Sequence, residues 1–586
     1  MRELTTMPTG YKPNLMTRNL LDEQLRRTLR CALATVLLLL FAVVLLAGAV
    51  IIPQATRLGL PWDLATLRQP DEIKHRVRAI LSAIAARPVA TQDMVAIAYT
   101  DLPPLGVNTF LEQEVDEATI RRSMEMIRAA GFTWIRQQFA WYEIERPAKG
   151  QYVDSATGGS SWEKYDRIVN LANEYGLDVL ARLDTVPAWA RPEDSTFTHP
   201  PSDVGDYADF VRTLVSRYRG RLRYYQLWNE PNLSFEWGNQ PVKASDFVPL
   251  LKAGYLAAKQ ADPQAVVVAP ALAPTIDRGP DNRNDTLYLR EMYAAGAKGY
   301  FDVMATMAYG LVSGPDDRRL DPFWQVNFSR PILLRQIMVE NGDANKPIWF
   351  SELAWNALPP SFTEKPLYGR VTEDQQARYT VRGLQRIREE WPWAGPAFVW
   401  FFRRPTDNEK DQQFYYFRLV EPNFRPLPVY NAIKDAAPSL KVVQRGWRAP
   451  TDWAITVTGD WQTTPGDVVL QRFSATPGSA LSFTFVGSTL SVQARGPGRL
   501  YVDVAGTRLP RDDEARAYVD LPAATTQVEL VRGLAVSPHP VVLTLGSGQA
   551  TIEGIIVDRQ EGFPTMLVWA AAIFVGVWAI GWQVFR

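Results

Sequence analysis

The sequence predicts an α/β protein. A (β/α)8 TIM barrel over residues 93–440 is followed by a jelly-roll-like antiparallel β-sandwich over 450–560, with a transmembrane helix at either end. Three observations predict it. From 93 to 440, short apolar runs alternate with helical patterns eight times, the signature of parallel strands joined by helices. After 450 the helical spacing stops, and short alternating runs separated by Gly and Pro take over, as in antiparallel sandwiches. Uncharged apolar runs stand at Cys31–Ile52 and Gly562–Phe585, and about 20 such residues span a bilayer.

Eight strands are read at Met94–Tyr99, Thr133–Phe139, Asp178–Leu183, Arg223–Trp228, Ala265–Ala269, Phe301–Ala308, Pro347–Ser351 and Pro396–Phe402. Helical patterns separate them, among them Glu117–Ala130, Trp162–Tyr175, Val204–Arg219, Ala244–Ala261, Tyr288–Ala297, Arg330–Glu340 and Glu373–Glu390. Eight repeats in about 350 residues suit a barrel with loop insertions. A doubly wound open sheet is the competing topology. No GxGxxG follows any of these strands and no GxxxxGK[ST] loop occurs, so a nucleotide site has no support. In the sandwich region, strands are expected at Val468–Phe473, Leu481–Val486, Leu490–Ala494, Leu500–Val504, Gln527–Val531, Val541–Leu545 and Thr551–Val557.

At 586 residues, 46% hydrophobic and 22% charged, the chain is globular in usage and long enough for two folded domains. Lys+Arg and Asp+Glu both number 63, which leaves no global basic field to hold nucleic acid. Cys31 is the single cysteine, excluding a disulfide framework and a cysteine-based metal cluster. The three histidines, His75, His199 and His539, do not suit a multi-histidine metal site. His199 falls in the loop after the third strand and reads as a solvated loop residue.

The segment 1–30 carries Arg2, Lys12, Arg18, Arg26, Arg27 and Arg30 against three acids. The positive-inside rule puts this end in the cytoplasm and 53–561 outside. The second span, with Trp569, Trp578 and Trp582 suited to a membrane interface, then returns the chain to the cytoplasm. A cleaved signal peptide is the alternative for the first run, and a buried core helix for the second. Between the first span and the barrel, residues 53–92 form a connector. Pro70-Asp71-Glu72 starts a helix whose Ile73, Val77, Ile80, Leu81 and Ile84 recur at helical spacing.

In a barrel the chemistry sits where strands end at their C-terminal side. The fourth run ends in Trp228-Asn229-Glu230-Pro231-Asn232, and the seventh in Ser351-Glu352-Leu353-Ala354-Trp355. A carboxylate at a strand end more often caps a helix or pairs with an arginine. Two of them, on strands four and seven, are what glycoside hydrolysis requires: one carboxyl to protonate the leaving oxygen, one carboxylate to attack or stabilise the anomeric carbon.

These motifs resemble clan A of the retaining glycoside hydrolases, closest in pattern to glycoside hydrolase family 39 and relatives, including exopolysaccharide-processing members. The resemblance covers about 93–440 and extends to residues 131–145, to Asp184–Ala190 and to Phe398–Phe402. It implies Glu230 as general acid/base and Glu352 as nucleophile. Asn229 would bind the sugar 2-hydroxyl, Arg136 would lie beside the nucleophile, Tyr309 would touch it, and Trp400 would be the aromatic platform under the reacting sugar. Trp141, Trp189 and Trp355 are further candidates for sugar stacking, with core packing as the alternative. One departure stands out: many relatives end strand six in His-x-Tyr, whereas here it is Met307-Ala308-Tyr309.

The expected function is a membrane-anchored retaining β-glycoside hydrolase or transglycosidase acting on extracytoplasmic polysaccharide or oligosaccharide. No cofactor is implied, since acid/base and covalent catalysis need none. The expected partners are a carbohydrate substrate, the lipid bilayer and polysaccharide-assembly proteins. The Met307 departure and the two anchors motivate the alternative, a catalytically inactive glycan-binding or scaffolding protein. Inverting hydrolysis is a third reading, distinguished by wider spacing of the carboxyls. The sandwich either binds sugar or braces the barrel.

Overall fold

A computed structural model of the chain describes residues 89–559. The two expected spans and the connector helix at 70–84 lie outside these residues. Among the described residues no helix is long and apolar enough to cross a membrane.

The first eight strands are all parallel: β1 Leu105–Thr109, β2 Trp134–Ala140, β3 Asp178–Asp184, β4 Tyr224–Leu227, β5 Val266–Val268, β6 Met304–Tyr309, β7 Ile348–Ala354 and β8 Ala394–Val399. Their order is β5-β4-β3-β2-β1-β8-β7-β6. The two ends, β5 and β6, meet through the parallel bridges Val268↔Val303 and Leu272↔Thr306, so the sheet closes on itself as a near-complete TIM-like barrel. An open doubly wound sheet has no such closure.

The first strand is not where the sequence put it. Met94–Tyr99 is turn and irregular chain, and β1 is Leu105–Thr109. Residues before β1 close the barrel floor instead. The Trp349 indole donates to the Tyr99 carbonyl (3.2 Å) and the Trp134 indole to that of Pro103 (3.0 Å). The β1 sequence Leu-Gly-Val-Asn-Thr lacks a β-branched run, which hid it. Its glycine is demanded by packing, because a Cβ on Gly106 would fall inside the Phe398 ring.

The barrel interior is layered. Trp134, Tyr224, Trp349 and Phe398 fill the lower part edge to face, with Trp134–Tyr224 centroids 4.7 Å apart. Two residues further along β2 and β4 the inward positions become polar, Arg136 and Gln226. Strand period two places these above the aromatic layer. Outside, the helices Glu117–Ala129, Glu163–Glu174, Val204–Tyr218, Ala244–Ala261, Asp285–Ala294, Pro331–Glu340 and Glu373–Glu390 bury apolar faces against the barrel in one continuous core.

After the barrel come β9 Gly446–Arg448, β10 Thr456–Thr458, β11 Gln462–Thr464, β12 Gln471–Ser474, β13 Ala480–Gly487, β14 Thr489–Arg495, β15 Gly498–Asp503, β16 Tyr518–Asp520, β17 Thr526–Val531, β18 Ser537–Gly548 and β19 Ala550–Asp558. They form two antiparallel sheets, β10-β13-β18-β15-β16 and β11-β12-β19-β14-β17, with β9 paired to β19. Inward residues such as Leu481, Val492, Leu543 and Ile555 make their shared core. Barrel and sandwich fall in one compact unit. They are stitched by Trp453 N donating to the Asp101 carbonyl (2.9 Å), by Arg388 on the Val442 carbonyl (3.3 Å) and by the Arg445–Asp93 ion pair (2.7 Å).

Candidate active site

At the mouth of the barrel, Arg136 on β2 is the hub. It is only 2% exposed, so its charge must be compensated in place. It donates from Nη1 to Glu352 Oε1 (2.9 Å) and Asn108 Oδ1 (2.8 Å), from Nε to Gln226 Oε1 (2.9 Å), and from Nη2 to Asn229 Oδ1 (2.8 Å). One guanidinium thereby ties β1, β2, β4 and β7 together in a fixed fork that a lysine could not reproduce.

Glu352, 5% exposed, takes the Arg136 donor on one oxygen and the Tyr309 hydroxyl on the other (2.6 Å). Both oxygens act as acceptors, the environment of an ionised carboxylate. Burial and the neighbouring Glu352 push the Tyr309 hydroxyl well above its ordinary range, so it keeps the proton it donates.

The direction of Glu352 depends on a bulge. Pairing of β6 with β7 runs Ala305↔Trp349, Thr306↔Phe350, then Met307↔Glu352, skipping Ser351. Trp349 faces the interior with an odd number and Glu352 with an even one. The extra residue reverses the parity and aims the acid at the mouth. Met307, in register beside Glu352, is fully buried among Trp134, Val268 and Trp349.

Glu230 is placed by a different device. Trp228 and Glu230 have φ of +68° and +43°, conformations that non-glycine residues enter only at a cost. The surroundings hold them there. Trp228 N donates to the Leu183 carbonyl (2.9 Å), Gln226 Nε2 to the Trp228 carbonyl (2.9 Å) and Glu230 N to the Ala271 carbonyl (2.9 Å). The Asn232 carboxamide clips the loop to the Ala273 and Arg283 backbone. No described residue hydrogen-bonds the Glu230 carboxyl. Burial, and then the nearby carboxyls of Glu236 and Glu352, push it well above the usual carboxylate range against the pull of Arg136 and Arg182. The two strand-end acids therefore differ: one accepts donors on both oxygens, and the other makes no described hydrogen bond and is pushed upward by burial.

Trp400 follows β8, is half-buried and meets Phe110 edge-on at 5.6 Å, in a patch with Tyr309 and Phe417. Three tryptophans lie elsewhere. Trp141 is fully buried, stacks on Phe210 (5.3 Å) and donates to Glu145 Oε2 (2.6 Å). Trp355 is fully buried, stacks on Phe328 (5.3 Å) and donates to the Ser313 carbonyl (2.7 Å). Neither leaves a ring face for a sugar, which corrects the stacking expectation in favour of core packing. Trp189 is half-buried, edge-on to Trp141, with its indole on the Glu145 carbonyl (2.8 Å). His199 bonds the Pro200 carbonyl (2.6 Å) and Gln240, and so belongs to loop structure.

Several mouth residues were not read from the sequence. Asp184, ending β3, pairs with Arg182 (2.8 Å) and accepts from Gln138 (2.7 Å). Glu112, after β1, accepts from Gln137 and is pushed up by burial. Glu236, in the short 3-10 turn Ser234–Trp237, is pushed up to about 7, chiefly by burial. Asp184 carried a findable signal, because it ends a strand.

Residues 99–289 match the family model for cellulase, glycosyl hydrolase family 5. The match runs from before β1 to past β5 and includes Arg136 and Glu230. No curated protein matches the chain. Among solved structures the chain is similar to a family 39 glycoside hydrolase from Bacteroides cellulosilyticus WH2, at 19% identity and TM-score 0.45, over 77% of this chain and 82% of that one. It is also similar to the family 39 enzyme from Xanthomonas axonopodis pv. citri, at 17% and 0.42, over 78% and 96%. A third is a subfamily 18 member of family 5 from Streptomyces cattleya, at 17% and 0.44, over 59% and 81%. The barrel is that of a glycosidase, and it resembles clan A of the glycoside hydrolases.

Proposed function

We propose that the protein is a retaining β-glycosidase or transglycosidase, with Glu230 as general acid/base and Glu352 as nucleophile. The observation that carries this reading is the asymmetry of the two acids: Glu352 accepts hydrogen bonds on both oxygens, while the Glu230 carboxyl has no described hydrogen-bond partner and is pushed upward by burial. In the first step a Glu352 oxygen attacks the anomeric carbon as Glu230 gives its proton to the departing glycosidic oxygen. The freed Glu230 carboxylate then takes a proton from water, or from an acceptor sugar hydroxyl, which displaces Glu352. Arg136 and Tyr309 hold the attacking carboxylate in one orientation through both steps. Asn229, fixed by Arg136, would meet the sugar 2-hydroxyl, and Trp400 would underlie the ring.

The substrate is an extracytoplasmic polysaccharide or oligosaccharide. Residues 31–52 and 562–585 anchor the chain in the cell membrane with both termini cytoplasmic, beside polysaccharide-assembly proteins. The positive N-terminal segment and the two uncharged runs support this placement.

The test is covalent trapping. The full chain is incubated with a panel of activated 2-fluoro β-glycosides and digested. A sugar-mass adduct on the peptide holding Glu352, absent in Glu352→Gln, is expected. Folded protein that hydrolyses an aryl β-glycoside yet labels elsewhere, or releases product of inverted configuration, would overturn the assignment.

A further inference from the structure

One sheet of the sandwich carries a cleft of about 340 Å3, away from the barrel mouth. It is lined by Thr464, Gln471, Phe473, Arg495, Gln549 and Thr551, among others. Small-ligand sites run from about 300 to 1,000 Å3. Strand register gathers these side chains on one face. Phe473 on β12 pairs with Thr551 on β19, Thr551 with Arg495 on β14, and Gln471 with Thr464 on β11. Direct cross-strand partners point to the same side of a sheet. The next positions along, Ala494 and Ile552, point to the other side and belong to the sandwich core. Gln549 comes from the turn between β18 and β19. Gly496 lets the chain after β14 lie against that turn, because a Cβ there would strike the Gln549 carbonyl.

The chemistry of the lining is mixed in a particular way. Phe473 is half-buried and stands outside the sandwich core, so part of its ring face is open on an otherwise polar surface. The Gln471 and Gln549 carboxamides make no hydrogen bond among the described residues, and each offers donors and an acceptor in one plane. Arg495 is oriented by Glu553, which accepts from its Nε (2.7 Å) and also takes the Thr525 hydroxyl (2.9 Å). The two terminal nitrogens of Arg495 make no hydrogen bond among the described residues, and its charge is balanced by Glu553. We propose that this cleft is a second carbohydrate site, which holds a neutral sugar unit of a glycan chain apart from the barrel. The apolar C–H face of a pyranose would lie on Phe473, and its ring-edge hydroxyls, each both donor and acceptor, would meet the carboxamides and the Arg495 fork. The site is also mechanically separate from the barrel. β9, which leads from the barrel junction, pairs with β19 at Ile555–Val557, at least four residues, or about 14 Å, along the strand from Thr551.

The test localises binding by hydrogen exchange. The full chain in detergent micelles is exposed to β-linked hexasaccharides of glucose, mannose, galactose and xylose, and to one of glucuronate, and exchange is read peptide by peptide. At least one neutral hexasaccharide is expected to slow exchange in the peptides that hold 464–473, 495–498 and 549–551. Phe473→Ala should weaken that protection about tenfold or more in apparent affinity. The double variant Gln471→Ala with Gln549→Ala removes two neutral hydrogen bonds at the surface and should also weaken it about tenfold. It decides the matter if Phe473→Ala fails to fold. Protection at these peptides by no neutral chain, protection by the glucuronate chain alone, or unchanged protection in the folded double variant would overturn the proposal. The readout needs no turnover. A parent chain that hydrolyses no glycoside would count against the glycosidase reading while protection still decides the second site.

Discussion

Replacing Glu230 by Gln isolates the proton from everything else in the site. The two side chains have nearly the same shape, and no described hydrogen bond is made by the Glu230 carboxyl, so no folded-state partner is orphaned. Burial and two neighbouring acids hold the carboxyl well above its ordinary range. An unfolded glutamate ionises near pH 4.3, and each pH unit through which the folded group resists ionisation costs the parent about 1.4 kcal/mol of stability. The contribution of a raised carboxyl is complete below the unfolded pKa and is lost as pH rises toward the folded one. Glu230→Gln should therefore match the parent near pH 4 and become relatively more stable with rising pH. Activity should move the other way. A positioned general acid contributes about 10²–10⁴-fold, or ~2.7–5.4 kcal/mol of barrier. That contribution is needed only when the leaving group needs a proton. With an alkyl or sugar aglycone the loss in kcat/KM should reach this range. With a dinitrophenyl aglycone it should fall below about tenfold, and the alkaline limb of the profile should vanish. Steady-state kinetics on the two aglycones, beside denaturant unfolding at pH 4 and pH 7, checks both halves. An equal loss with both leaving groups, or a variant destabilised at pH 7, would refute the assignment of the proton to Glu230.

Three further outcomes are expected. Tyr309→Phe removes a charge-assisted bond to Glu352 worth about 1.5–3 kcal/mol, and kcat/KM should drop about 10–100-fold with the fold intact by circular dichroism. Arg136→Met breaks a buried ion pair and strips Asn108, Gln226 and Asn229 of a donor. It should cost about 3–5 kcal/mol in urea unfolding, and Arg136→Lys should not restore the parent value. Trp400→Ala should raise KM at little cost in stability, whereas Trp355→Ala, which empties a buried site, should cost about 3–5 kcal/mol and leave KM nearly unchanged in whatever protein remains folded.

The parts of the fold visible in the sequence were those set by local pattern. Seven of the eight barrel strands overlap their expected runs, because a buried parallel strand is a short apolar stretch bounded by turns. The first failed for a tertiary reason. Gly106, Asn108 and Thr109 read as loop, yet Gly106 admits the Phe398 ring and Asn108 accepts from Arg136. Of Met94–Tyr99, Ile97 is buried in the outer core and Tyr99 packs against the interior aromatic layer, while Met94 is exposed. The tryptophans divide similarly. Trp141 and Trp355 sit near strand ends like Trp400, and only packing shows that their faces are covered. Glu236 was invisible because it lies in a short turn after β4, where strand alternation gives no cue.

The two strand-end acids were legible as residue types, but their different chemistry was not, because each depends on a break in regular backbone. On β7 the skipped Ser351 turns Glu352 inward, where Arg136 and Tyr309 wait. Without that extra residue the alternation begun at Trp349 would send position 352 toward the helices, into the apolar core that holds Phe350 and Leu353. At the end of β4 two left-handed residues swing Glu230 clear of the hydrogen-bonding reach of Arg136, and only its neighbour Asn229 is held. A regular continuation of β7 would have turned Glu352 away from the mouth and left the two acids without a shared site. The local irregularities make one carboxyl an acceptor of two donors and leave the other with no described hydrogen-bond partner. Each irregularity is itself held by buried hydrogen bonds to neighbouring strands, so the barrel supplies the rigidity that keeps the two acids unequal.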